Sequence, residues 1–121
     1  MSDVSADGAP HDIPSAPELL RAVEEFLRGE VMAATDGRLA FHVRVAANVV
    51  AMVAREIELG PEQRLAHAEA LRRLGMESDK ELADAIRSGS LDDRLDEVTD
   101  VVKQTVAAKL AVANPDYVER A

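Results

Sequence analysis

RLAFHVRVAANVVAMVARE, residues Arg38 to Glu56, decides the fold. Its apolar residues recur at helical spacing and never alternate as in a strand, so the stretch reads as one long helix. At about 100° per residue the apolar positions sort into two arcs. Leu39, Val43, Ala46, Val50, Val53, Ala54 and Ile57 make one, read as the side facing the core. Phe41, Val45, Val49 and Met52 make the other, roughly opposite. Arg44, Asn48 and Arg55 run in a row between them, Arg38 and Glu56 lie near the second arc, and His42 flanks it. A helix with two apolar arcs needs two partners. Either helices of the same chain cover both arcs, or the second arc is an interface with another molecule; Phe, Met and Arg suit such an interface.

Outward from this helix the punctuation is clear. Ser15-Ala-Pro-Glu18 is a capping box that opens a first helix, with Leu19, Leu20, Val23, Phe26, Leu27 and Val31 as its core face. Glu24 and Arg28 can pair one turn apart on its wet side. Asp36-Gly37 starts the second helix, and Gly60-Pro61 is expected to end it near Leu59 and begin a third. Leu65, Ala68, Leu71 and Leu74 mark the buried face of that third helix, and Gly75 closes it. Ser78-Asp-Lys-Glu81 opens a short helix with Leu82, Ala83 and Ile86 inside. A last helix begins at Ser90-Leu-Asp-Asp93, carries Leu91, Leu95, Val98, Val102, Val106, Leu110 and Ala113 as its core stripe, and stops at Asn114-Pro115. The expected fold is all-α: a small bundle of about five helices around a long, largely buried central second helix. Residues 1–13 read as a disordered tail and 14–121 as a single helical domain.

Composition narrows the function classes. A formal net charge of −9 opposes nucleic acid and anionic membrane surfaces. Phe26, Phe41 and Tyr117, the only aromatics, cannot make a base-stacking platform. There is no cysteine, hence no disulfide or thiolate chemistry, which suits a cytoplasmic setting. Val43 to Val53, cut by Arg44 and Asn48, is too short and polar to span a bilayer. No phosphate loop, nucleophile elbow or metal-ligand spacing is present; His11, His42 and His67 fit no ligand pattern. No catalytic, cofactor-binding or metal residue is assigned, and the chain is not expected to be an enzyme on its own. Asp92, Asp93, Asp96, Glu97 and Asp100 are either a solvated face or a docking patch for a basic partner. The Arg44, Asn48, Arg55 row is either a salt-bridge network, with Glu24, Glu25, Glu30 or the acidic last helix as partners, or a grip for a phosphate or carboxylate.

Three stretches carry a family resemblance: SAPELLRAVEEFLRGEV (Ser15 to Val31), the quoted helix extended to Leu59, and KLAVANPDY (Lys109 to Tyr117). Together they resemble a bacterial family of small helical proteins classed as a domain of unknown function, over about Pro14 to Tyr117. The resemblance implies association. Members are typically encoded beside kinases of the aminoglycoside-phosphotransferase type and acyl-CoA dehydrogenases, and some of these kinases phosphorylate hydroxyacyl-CoA thioesters. The chain is then expected to be a non-catalytic accessory subunit of such a kinase, which would itself hold ATP and magnesium. The interface candidates are Arg38, Phe41, His42, Arg44, Val45, Asn48, Met52 and Arg55, with Asn114, Pro115 and Tyr117. Two other readings stay open: self-association through the second arc, and an acyl-CoA-binding module gripped by the Arg row.

Overall fold

A computed structural model describes residues 13–120; the expected tail lies almost wholly outside them. The class is all-α, with no strand among the described residues. The helices are α1 (Ala16–Phe26), α2 (Gly37–Arg73), α3 (Asp79–Ser88), α4 (Leu95–Ala113) and α5 (Pro115–Arg120). A π-helical turn, Leu27–Val31, follows α1, and a 3-10 turn, Asp92–Arg94, precedes α4. The chain divides into two compact units, one ending at Glu58 and the other beginning at Leu59.

The boundary expected at Gly60-Pro61 does not exist: α2 is one helix of 37 residues with Pro61 inside it. Proline removes one helix hydrogen bond and normally pushes the preceding residue out of the helical region by clashing with its Cβ. Gly60 has no Cβ, so that second penalty is absent and the helix continues. The guanidinium of Arg64 occupies the freed space, 3.0 Å from where a Cβ would stand. The continuous helix also meets the length and hydropathy needed to cross a bilayer, a test that core helices of soluble proteins pass as well. The expectation of too short a segment counted only the run from Val43 to Val53, cut by Arg44 and Asn48.

In the first unit, the capping box at Ser15 forms as expected. The Ser15 amide donates to Glu18 Oε1 at 2.8 Å and the Glu18 amide to Ser15 Oγ at 3.4 Å. Two side-chain bonds tie α1 and the π-helical turn after it antiparallel to the first part of α2: Arg21 Nη2 to Glu58 Oε1 at 2.9 Å and Arg28 Nη2 to Asn48 Oδ1 at 3.0 Å. The buried row of α2 is Val43, Ala47, Ala51 and Ala54. Leu39, Val53 and Ile57, expected in the core, are exposed, as is Ala46. The burial expected for this helix is therefore confined to one narrow row. Three of its four residues are alanines, which let neighbouring backbone come close and so exclude water most completely. The large side chains that dominate hydropathy are left on the flanks. Leu19, Val23 and Phe26 of α1 are likewise exposed, and no residue of α1 is fully buried.

The second unit has a continuous core of Ala70, Leu71, Leu74, Leu82, Leu91, Val98 and Val101, with Met76 and Ala85 packed against it. Gly75, at φ +77°, closes α2: the Met76 amide reaches the Leu71 carbonyl and the Gly75 amide that of Arg72, both at 2.9 Å. Arg94 Nη2 donates to the Arg73 carbonyl at 3.0 Å, a cation set against a helix C-terminus. Ser78 caps α3 as expected, through a 3.1 Å bond from the Glu81 amide. Ser90 does not cap the last helix; its hydroxyl donates back to the Ala85 carbonyl at 3.2 Å, and the 3-10 turn intervenes before Leu95. Leu65, Leu95, Val102 and Val106, expected inside, are exposed, whereas Val101 is buried. Leu91 and Val98 of the expected stripe are buried, and the core of α4 continues at Val101 in place of Val102.

Candidate functional site

The interface candidates on α2 fall into two sets. Arg38, Phe41 and His42 sit together at its start. Arg38 Nε donates to His42 Nε2 at 3.4 Å, and the Phe41 and His42 rings meet edge-on at 5.7 Å between centroids. Phe41, Val45 and Val49 are exposed and Met52 is half-buried. Beside Val53 they make an outward apolar strip on the side of the helix away from Val43, Ala47, Ala51 and Ala54.

The polar row resolves differently. Asn48 accepts from Arg28, and Arg28 Nε and Arg21 Nη1 hold the Glu24 carboxylate at 2.8 and 3.2 Å. Glu24 is thus the centre of a network reaching Glu58 through Arg21 and Asn48 through Arg28. The Glu24–Arg28 pair was legible as an i, i+4 spacing; the links to Asn48 and Glu58, 20 and 37 residues away, carry no local signal. Arg44 is exposed and has no ion-pair partner among the described residues, and Arg55 is half-buried.

This network sets an acid dependence. The hydrogen bond from Arg28, and then that from Arg21, hold the Glu24 carboxyl below its ordinary 4.5. Arg94 does the same for Glu97, and the Ser15 amide for Glu18. A carboxyl with a depressed folded pKa adds stability that is complete above 4.5 and is lost as pH falls through its depressed value. Thermal melts should therefore be flat from neutral to about pH 5 and decline below it. Glu24→Gln should flatten part of that decline. At pH 7 it should cost about 1 kcal/mol, because both arginine partners are partly solvated.

In the second unit a cleft of about 300 Å³ is lined by Gln63, Ala66, His67, Ala70, Gln104, Thr105, Ala107 and Ala108. His67 is its centre: Nε2 lies 2.7 Å from Asp79 Oδ1 and Nδ1 lies 3.3 Å from Thr105 Oγ1. The Thr105 hydroxyl also donates to the Val101 carbonyl at 2.9 Å. Gln63 Nε2 donates to the Ala108 carbonyl at 2.9 Å. The cluster clasps α2, α3 and α4 within the unit. His67, Asp79 and Thr105 match no motif spacing, and only the packing brings them together. Asp79→Ala should lower stability by about 1 kcal/mol, read by denaturant titration. No group of three or more metal-ligating side chains occurs among the described residues.

Asn114 and Tyr117 are also in this unit. Asn114 Oδ1 accepts from the Tyr117 amide at 3.3 Å, so Asn114 caps α5, while the Tyr117 ring is exposed.

Residues 33–117 match the model of a protein family described as a domain of unknown function, DUF6285. No curated protein and no solved structure matches the chain.

Proposed function

The chain belongs to the DUF6285 family, whose function is unknown, and from that premise we propose that it works by association, as a non-catalytic accessory subunit of a kinase. The observation that carries this reading is the exposure of large apolar side chains on α1 of the first unit: Leu19, Val23 and Phe26. Contiguous apolar surface on a small domain is costly in water and is typically covered by a protein partner. The resemblance supports a partner of the aminoglycoside-phosphotransferase type acting on hydroxyacyl-CoA thioesters. The kinase supplies the chemistry; this chain stabilises it or closes its substrate site.

Co-expression with an aminoglycoside-phosphotransferase-type kinase from the same genome tests the proposal. A stable co-complex and higher turnover than the kinase alone are expected. Neither binding nor a change in turnover would overturn it. Phe26→Asp should weaken the complex by about tenfold or more, because a buried aromatic anchor carries a large share of such an interface. Phe26 is 54% exposed, so the fold should survive the change.

A further inference from the structure

The outward strip of α2 has a property that the accessory role does not require: it is complementary to itself. Arg38 and Glu56 are eighteen residues apart, five full helical turns, so they lie on one line along the helix. Val45 and Val49 straddle that line symmetrically between them. Phe41 and Met52 lie on one side of it, and His42 and Val53 on the other. The midpoint of every one of these pairs falls at or within half a residue of Ala47, which is buried on the opposite face. Arg38 and Glu56 are exposed and neither makes an ion pair among the described residues.

We propose that this strip pairs with the same strip of a second copy, the two α2 helices running antiparallel across a two-fold axis that passes between Val45 and Val49. Reversing a helix about that axis sets Arg38 of each copy opposite Glu56 of the other, at both ends of the interface. It lays Phe41 beside Met52 of the second copy, an aromatic ring against a thioether, and His42 beside its Val53. Val45 and Val49 of the two copies interdigitate in the middle. An isologous contact needs this kind of self-complementarity, a cation where the dyad brings an anion and apolar groups where it brings apolar groups. The strip is locally neutral although the chain carries −9, and the repulsion spread over the rest of the surface is screened at physiological salt. A basic foreign partner fits less well, because the strip offers one charge of each sign rather than an acidic face. The stripe of Leu19, Val23 and Phe26 on α1 stays outside this pairing, so the dimer does not depend on the accessory reading.

Sedimentation equilibrium of the full chain over a wide concentration range is the test. A species of twice the 13.0 kDa chain mass is expected. Glu56→Arg alone and Arg38→Glu alone each place like charges at both ends of the pairing and should weaken the dimer by about tenfold or more. The double variant Arg38→Glu, Glu56→Arg restores the opposite-charge pairs and should return dimerisation to near its original strength. Circular dichroism of each variant separates lost pairing from lost folding. A monomer at all concentrations overturns the proposal, whether or not it binds the kinase or lipid vesicles. So does a dimer insensitive to both single changes, or one that the double variant fails to rescue.

Discussion

Leu74→Ala is expected to destabilise the protein by about 3 kcal/mol, the middle of the range for removing a buried leucine side chain. Leu74 is 2% exposed and is the largest fully buried side chain among the described residues. It lies in the cluster with Leu71, Leu82, Leu91, Val98 and Val101, one residue after the end of α2 and immediately before the Gly75 turn. Its neighbours belong to helices held by caps at Ser78 and by the Arg94 bond to the Arg73 carbonyl, so they cannot collapse freely into the space. The cavity term is therefore added to the lost transfer energy. Calorimetry should record a fall in Tm of roughly 10 °C for a chain of this size. A loss under about 1 kcal/mol would mean that the cluster is not the core of the second unit.

Ala47→Leu should cost about 2 kcal/mol, and Leu39→Ala less than about 0.5 kcal/mol. The contrast reverses what hydropathy suggests. Ala47 is completely buried, so a branched side chain there must displace packed atoms or leave its rotamer minimum. Leu39 is 60% exposed, so shortening it removes little buried surface. Chemical denaturation of the two variants reads both numbers directly. If Leu39→Ala proved the more damaging, the buried row of α2 would be the one that hydropathy picks.

The two outcomes explain where sequence reading succeeded. The helical class, the caps at Ser15 and Ser78, and the stops at Gly75 and Asn114 were legible because they depend on neighbours within a turn. A serine three residues before a glutamate meets the same free amides in any helix. The Glu24–Arg28 pair was visible for the same reason. The buried row of α2 was legible only in part: Val43 and Ala54 were expected inside and are, whereas Ala47 and Ala51 were missed, because alanine is only weakly apolar on any scale yet packs closest. The continuity through Pro61 was not legible; there the deciding detail is the missing Cβ of Gly60 next to the proline ring. The site residues divide in the same way. Periodicity alone places Arg38, Phe41, His42, Val45 and Met52 on one side of α2. The clasp of His67 with Asp79 and Thr105, and the Arg28 bond to Asn48, join positions that only folding brings together.

By itself the sequence determined that this chain is helical, where most of its helices start and stop, and that α2 carries more apolar surface than one neighbour can cover. Those features rest on local hydrogen bonding and on a period of 3.6 residues, both written in the order of side chains. Only the tertiary structure decided which row of α2 is sealed and which is left bare. Burial depends on how closely helices approach, and that distance is set by side-chain size at the point of contact rather than by hydropathy along the chain.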